Sequence, residues 1–467
     1  MTANIQAAKA ALSHLEIDSN PVSVKAKSRD FFWYSPVLKA ALDHVSADFV
    51  VTPQTEAEVI EVLKTCYAHD VPLTVRGAGT GNYGQAMPLA GGCILHLHKM
   101  NRVKEIHPGR AIVEPGCLLK DIDEATIAQS NQELRMFSST WATATIGGFI
   151  AGGSGGVGSV RWGGLRDLGN IIRLRVLTME AEPRALEFTG EELHRVSHAY
   201  GTNGIITEIE IPLAPAYDWV GVIMTFPDFP DALRFGYDLA SQDGILIKLA
   251  TLFEAPIAQD YFQRISPYVQ PGQATGTFMI APHAMGAFQT FTARYPGAEV
   301  IYRSDQTQWE RDPGRIFEYG WNHTTLRALK VDPSITYLQV GYGTDDPVGL
   351  VEQVRARLSP EVLQHVEVTR QNGKVAMGGL SLVKFTTEAR LDEIVGLHEA
   401  MGAPIFNPHR YTLEEGGRQQ VDDVQLTFKR EADPKGLLNP GKMIGWHDPD
   451  WAYKQKYAWP GMMKAAE

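Results

Sequence analysis

The chain has 467 residues, 44% of them hydrophobic and 21% charged, with a formal net charge of −11. This is the composition of an ordinary soluble globular protein with room for two to three domains and a large core. The absence of clustered Lys and Arg excludes nucleic acid as a main partner. Three cysteines (Cys66, Cys93, Cys117) with no C-x-x-C pair exclude a disulfide framework and predict a reducing, cytoplasmic setting.

In chain order, residues 1–21 show no signal-peptide core, and no run of about 18 apolar residues predicts a membrane span. Arg29 to Leu42, with Phe31, Phe32, Trp33 and Tyr34, reads as a packed lead-in. Val50 to Pro53 predicts a short strand. Thr55 and Glu58 form a capping-box pair, and Val59, Val62, Leu63, Cys66 and Tyr67 recur at helical spacing. Val71 to Arg76 returns as a strand, making a β-α-β unit. Cys93 to His98 and Arg110 to Val113 read as further strands, and Leu118 to Ser130 as a helix. Leu174, Val176 and Thr178 alternate as a strand, and Leu193 to Tyr200 reads as a helix. Ile205, Thr207, Ile209 and Ile211 alternate with Glu208 and Glu210, predicting a strand with one wet face. After Tyr217 glycines thin and aromatics rise, which predicts a second α+β domain up to about Pro434. Asp433 to Gly445 is turn-rich again.

Two glycine-dense segments carry the first chemical signal. The earlier one, Arg76-Gly77-Ala78-Gly79-Thr80-Gly81-Asn82-Tyr83-Gly84, follows a strand. Small residues let successive N–H groups approach a phosphate and form an anion nest. A dinucleotide-binding β-α-β reading needs a helix directly after the glycines. Gln85-Ala86-Met87-Pro88 does not start one, so that reading fails; a ligand-free turn is the alternative. From Gly147 to Gly164, nine of 18 residues are glycine. Ordering glycine costs extra entropy, so this segment is expected to be neither helix nor strand, and to be retained because a ligand lies on its backbone. A flexible linker is the alternative, opposed by Phe149, Ile150, Val157, Val160 and Trp162 inside it.

The two loops, their order and their spacing resemble the FAD-binding domain of the vanillyl-alcohol oxidase/p-cresol methylhydroxylase (PCMH) superfamily. Ile112-Val113-Glu114-Pro115-Gly116, Thr145-Ile146-Gly147-Gly148 and Tyr200-Gly201-Thr202-Asn203-Gly204-Ile205-Ile206-Thr207 resemble further pieces of it. Asp433-Pro434-Lys435-Gly436-Leu437-Leu438-Asn439-Pro440-Gly441-Lys442 matches the superfamily's D-P-x-G-x-L-N-P-G-K ending. The resemblance covers 49–215 and 433–444. It implies an α+β fold: a lead-in at 1–45, a PCMH-type FAD-binding domain of two α+β subdomains at 46–216, a substrate or cap domain with an antiparallel sheet at 217–432, and a segment at 433–467 returning to the FAD domain.

The same resemblance implies site residues. Arg76, Gly77, Ala78, Gly79, Thr80, Gly81 and Asn82 would cradle the pyrophosphate. Ser139, Thr145 and Gly148 would approach the flavin-proximal half, and Ser154, Gly155 and Ile206 would complete the site. Asn439 and Lys442 would return to it from the C-terminus, with a purely structural role as the alternative. Many relatives tether the flavin through a His just after the first glycine pair, or a Cys shortly before the T-x-G-G turn. Thr80 and Ser138-Ser139-Thr140-Trp141 stand there instead, which implies non-covalent FAD unless a substrate-domain His supplies a tether.

Oxidising a C–H bond next to oxygen or nitrogen needs a base for the O–H or N–H proton, and His titrates near neutrality. His409, Arg410 and Tyr411 place a base, a cation and a phenol within three residues, in a stretch that often lines the substrate side of the flavin in the superfamily. His323 lies in Trp321-Asn322-His323-Thr324-Thr325, with Arg327 one helical turn on. A hydrogen-bonded structural His is the alternative for each. His194 and His198 on an expected helix, and His96 and His98 on an expected strand, have ligand-like spacing but no third ligand, so no metal is expected. Metal-dependent 2-hydroxy-acid dehydrogenases of the superfamily carry a G-E-H-G element where this chain reads Pro408-His409-Arg410-Tyr411-Thr412-Leu413-Glu414-Glu415-Gly416-Gly417. That departure disfavours a metal-assisted reaction.

The resulting expectation is an FAD-dependent oxidoreductase that passes a hydride from a small alcohol, phenolic or hydroxy-acid substrate to the flavin. O₂, a quinone or a cytochrome would be the electron acceptor, and a homo-oligomer is compatible. The alternatives are a flavin-dependent non-redox transferase of the alkyl-glycerone-phosphate synthase type, and a non-catalytic flavin subunit of an electron-transfer complex.

Overall fold

The computed structural model describes residues 3–343 and 345–452. Within these, the chain divides into two compact units. Unit 1 comprises 3–154, 165–216 and 408–452; unit 2 comprises 155–164, 217–343 and 345–407. The chain re-enters unit 1 at Pro408, ahead of the turn-rich segment where the sequence placed that return. The fold is α+β, as the sequence implied.

Unit 1 is built on two sheets. The first contains β1 (Ile17–Asp18), β2 (Phe49–Val51), β3 (Leu73–Arg76) and β4 (Cys93–His96), in the order β1-β2-β4-β3. β2 and β3 both run parallel to β4, which the intervening helix Glu56–Ala68 permits. Thr55 caps this helix by accepting from the Glu58 amide at 3.2 Å, a contact that stabilises by about 1 kcal/mol. Val59, Val62, Leu63 and Cys66 pack on Phe49, Val51, Leu73 and Leu95, and Leu437 and Leu438 join the same core.

The second sheet is antiparallel: β5 (Val103–His107), β6 (Arg110–Val113), β7 (Gln132–Leu134), β8 (Arg173–Leu177), β9 (Ala185–Thr189) and β10 (Ile205–Pro215). β10 is central, flanked by β6 and β8 and paired with β7 near its end. The expected wet face of β10 is covered. Glu210 is buried and ion-paired with both Arg110 and Arg173, because a central strand exposes little of either face.

Three local expectations are overturned. The glycine-dense segment does contain helix, at Ile146–Gly152 and Ser159–Trp162. Thr145 caps the first of these, whose Ile146, Phe149 and Ile150 are buried. Gly147 is required there because a Cβ would lie 2.6–2.8 Å from Pro115. Tertiary packing thus outweighs the entropy of ordering glycine. The expected helix over 193–200 is a 3-10 turn, Gly190–Arg195, that stops before His198 and Tyr200, whose φ values are +54° and +52°. The strand expected over 93–98 ends at His96 and gives way to the 3-10 turn Leu97–Lys99.

Unit 2 is a nine-stranded antiparallel sheet with two covered faces. Its strands are β11 (Val220–Phe226), β12 (Ile247–Phe253), β13 (Ala274–Ile280), β14 (Glu299–Arg303), β15 (Ile335–Gly341), β16 (Val362–Leu363), β17 (His365–Gln371), β18 (Lys374–Lys384) and β19 (Ile405–Phe406). The order is β14-β11-β13-β12-β17-β18-β15-β19, with β16 on β18. On one face Phe226 and Phe278 meet Phe235 of the helix Phe229–Ser241. On the other, Ile223, Phe253 and Leu382 pack with Tyr319 and with Ala328 of the helix Asn322–Val331.

Candidate functional site

The earlier glycine loop leaves β3 and stays open. Among the described residues, no amide N–H in 78–82 donates to a main-chain carbonyl, so successive donors remain uncommitted. Uncommitted main-chain donors in a tight turn form a nest for a diphosphate. Gly79 sits at φ +70°, and a Cβ on it would lie 2.2–2.4 Å from the Arg76 guanidinium. Arg76 is anchored in turn, donating from Nη1 to the Arg29 carbonyl at 2.6 Å and from Nη2 to the Ala78 carbonyl at 3.2 Å. Gln85 bridges this loop to the later one, donating from Nε2 to the Gly152 carbonyl at 3.1 Å. Thr145 Oγ1 accepts from the Gly148 amide at 3.3 Å, and Ser139 is buried. Ile206 borders a register shift in β10 against β8, and neighbouring Thr207 donates to Glu56 at 2.7 Å. Ser154 is exposed at the end of its unit 1 segment, and Gly155 begins the 155–164 segment of unit 2.

The C-terminal motif closes this cradle from behind. The Leu73 amide donates to the Leu437 carbonyl and the Asn439 amide to the Leu73 carbonyl, both at 2.8 Å. Asn439 Nδ2 donates to the Gln85 and Tyr200 carbonyls at 2.8 and 2.7 Å, joining the loop to the 200–207 segment. Lys442 Nζ donates to the Gly84 carbonyl at 2.5 Å. Asp30 receives the amides of Phe32 (2.9 Å) and Ala86 (3.1 Å). Burial pulls the Lys442 ammonium down to about 7 and pushes the Asp30 carboxyl up, while the charge of each resists the other's shift. Asn439 and Lys442 therefore act on the loop's carbonyls, shaping the backbone that presents the nest.

Unit 1 also brings the 409–411 stretch to this loop. His409 is buried, and its Nδ1 shares a 2.7 Å hydrogen bond with Ser35 Oγ. Ser35 also caps the helix Pro36–Leu42 by accepting from the Leu38 amide at 3.0 Å. Tyr411 packs with Phe32, Leu38, Leu42 and Met87, and Lys442 Nζ lies 5.0 Å from its ring centre. Arg410 is half-buried between them in sequence. The sequence reading missed Asp30, Ser35 and Gln85. Asp30 and Ser35 were visible only as polar residues flanking the aromatic run of the lead-in.

Of the paired histidines, His194 and His198 are hydrogen-bonded to main-chain carbonyls, while His96 Nδ1 and His98 Nδ1 are buried without a partner among the described residues. His194 Nε2 meets the Arg166 carbonyl at 2.9 Å and His198 Nδ1 the Gly153 carbonyl at 3.0 Å. His96 and His98 stack at 4.0 Å, and burial, followed by the charge of His98, takes His96 down to about 3. No group of three potential metal ligands occurs among the described residues.

His323 lies in unit 2, at the start of the helix Asn322–Val331. Its Nδ1 is buried without a partner, and burial takes it down to about 4, with Glu318 opposing. Arg327 stacks on Tyr319 at 3.9 Å and donates from Nε to the Glu318 carbonyl at 3.0 Å.

An open run of loop amides, a capped T-x-G-G turn and a returning C-terminal bracket are the features of unit 1 that fit a PCMH-type FAD-binding domain. The family described as an FAD binding domain matches residues 47–185. An uncharacterised FAD-linked oxidoreductase of Mycobacterium tuberculosis is 29% identical over 198 residues, which are 40% of this chain and 42% of that protein. The match thus spans less than half the length of that relative. The glycolate oxidase subunit GlcD of Bacillus subtilis is 31% identical over 434 residues, covering 85% of this chain and 89% of that protein. Alkyldihydroxyacetonephosphate synthase shares the fold, with a TM-score of 0.69 at 14% identity over 93% of this chain and 85% of that one.

The chain belongs to the FAD-linked oxidoreductases of the vanillyl-alcohol oxidase/PCMH superfamily, and its cofactor is FAD. No helix among the described residues is long and apolar enough to cross a membrane.

Proposed function

We propose that this protein oxidises a small alcohol, phenolic or hydroxy-acid substrate in the cytoplasm, with the flavin as hydride acceptor and O₂, a quinone or a cytochrome as the final acceptor. The observation that carries this reading is the run of uncommitted amides at 78–82, set in a chain that aligns with GlcD along most of its length. FAD supplies a two-electron acceptor when bound; the protein supplies position and proton transfer. Residues 77–82, Thr145 and Gly148 hold the cofactor's phosphates and flavin-proximal half, and Ser139, Ser154, Gly155 and Ile206 complete its contacts. Neither Thr80 nor Ser138–Trp141 offers a tether, so the FAD is held non-covalently unless a substrate-domain His supplies one.

His409 is the first choice for the base that takes the substrate's O–H proton, and Ser35 fixes its ring through Nδ1. Arg410 steadies the developing oxyanion, and Tyr411 closes that side. His323 is the second choice. Burial holds it neutral at neutral pH but also lowers its basicity to about 4, which is why it ranks behind His409. GlcD is a glycolate oxidase subunit, which puts 2-hydroxy acids on the panel of substrates.

The test is anaerobic titration of the FAD-loaded protein with alcohols, phenols and 2-hydroxy acids, following loss of the visible flavin band. At least one class is expected to bleach it, and readmitted air, quinone or cytochrome then identifies the acceptor. A flavin that no class bleaches would overturn the redox reading and favour the non-redox transferase.

A further inference from the structure

Unit 2 holds a turn whose shape is imposed from beneath by one carboxylate. Trp321 has φ +51° and ψ −146°, a conformation that a bulky residue adopts only when its surroundings force it. Glu367 on β17 provides that force. It is 1% exposed and receives the Trp321 amide at 2.6 Å, Thr251 Oγ1 at 2.6 Å and His365 Nε2 at 2.9 Å. Thr251 and Glu367 are cross-strand partners on β12 and β17, so the sheet register fixes both. Gly320 lets the turn approach this closely, since a Cβ there would lie 2.7 Å from Glu367 Oε1 and 2.9 Å from Thr251 Oγ1.

The turn so held carries polar groups that no described residue satisfies. Trp321 Nε1, Asn322 Oδ1, His323 Nδ1 and Thr325 Oγ1 are all buried without a hydrogen-bond partner among the described residues. Thr325 is 0% exposed, so its hydroxyl is aimed inward. Buried polar atoms are normally paired, and four orphans within five residues call for a ligand. Their chemistry selects it. An indole donor, an amide acceptor, an imidazole and a hydroxyl are neutral hydrogen-bonding groups. The nearby cation, Arg327, is committed to the Tyr319 ring and the Glu318 carbonyl.

We infer that the 320–325 turn of unit 2 is a binding site for a neutral, multiply hydroxylated molecule such as a polyol, and that Glu367 is its positioning residue. The inference rests on the reading of this protein as an alcohol oxidiser and narrows its substrate class. A polyol supplies donors and acceptors on adjacent carbons. The four neutral groups offer a carboxylate no counter-charge for its lost hydration, and a simple phenol would leave most of the orphaned atoms unpaired.

The test uses FAD-loaded, anaerobically reduced protein labelled with 5-fluorotryptophan, which blocks turnover and reports on Trp321 by ¹⁹F NMR; Trp321→Phe assigns the signal. Glycerol, xylitol and sorbitol are titrated against lactate and phenol. At least one polyol is expected to shift the Trp321 signal, with affinity about tenfold or more above lactate and phenol. Glu367→Gln is expected to weaken that binding by about tenfold or more, the usual scale for a lost charge-assisted hydrogen bond, with FAD content unchanged. Thr251→Val, which removes one of the three bonds, should weaken it by about threefold and guards against a Glu367→Gln chain that fails to fold. Tighter binding of lactate or phenol, a signal that no polyol moves, or variants that bind as the parent does would each overturn the inference. Polyol binding at Trp321 with a flavin that no substrate bleaches would leave the site standing and sink the redox reading. Bleaching with an unmoved Trp321 signal would do the reverse.

Discussion

The 78–82 loop of unit 1 and the 320–325 turn of unit 2 solve the same problem by opposite means. On the proposed reading the loop binds with main-chain amides, so its residues need only be small and its specificity lies in geometry. The turn offers side chains, and a strand distant in sequence, β17, dictates its shape through Glu367. A site made of backbone leaves a dense local signature of glycines. A site made of side chains held by cross-strand pairing leaves ordinary residues at unremarkable spacing.

Perturbing each region separates the two designs. Gly79→Val should have the largest effect. It forces a β-branched residue to φ +70° against the Arg76 guanidinium, and the purified protein should be colourless and take up no added FAD. If this variant keeps its flavin spectrum, the nest is elsewhere. His409→Asn should retain FAD and lower kcat by roughly 100-fold or more, the usual contribution of a positioned base. A fall confined to His323→Asn would transfer the role to unit 2.

Lys442→Met leaves buried Asp30 with only Arg76 of its two cations and should destabilise unit 1 by about 3 kcal/mol, read by denaturant unfolding. Adding Asp30→Asn should recover part of that loss; an additive double variant would show that the two do not interact.

Taken one histidine and one pH unit at a time, the smallest effect is on pH. His96, His198 and His323 are all depressed by burial, to about 3, 4 and 4. Below the ordinary value of about 6.5 the unfolded chain binds protons that the folded chain refuses, so the stability present above that pH is lost as pH falls toward 4. Each histidine contributes about 1.4 kcal/mol per pH unit in that window. A melting temperature that is flat between neutrality and about pH 5 would contradict this. Substitution of His323 alone should remove about one histidine's share, since the other two belong to unit 1.

The same contrast explains what could be read from the sequence. The β-α-β unit was legible because Thr55 and the 59–67 apolar repeat are local signals. The flavin loops and the C-terminal motif were legible because glycine and proline mark backbone shape directly. The helix Ile146–Gly152 was not, since propensity argues against it and only burial of Phe149 and Ile150, with the close approach of Gly147 to Pro115, makes it form. The Ser35–His409 bond spans 374 residues and the Trp321–Glu367 bond 46, and no periodicity announces either. His323 was picked out by its neighbours, but Glu367, which sets the turn it stands in, looked like any acidic residue on a strand.

The pairing of Leu73 with Leu437 and Asn439 also has a consequence for biosynthesis. The glycine loop is translated early, but the bracket that shapes it leaves the ribosome hundreds of residues later. On the proposed reading, flavin loading follows synthesis of this bracket, and nascent or prematurely terminated products lacking residues 437–442 are expected to take up no FAD.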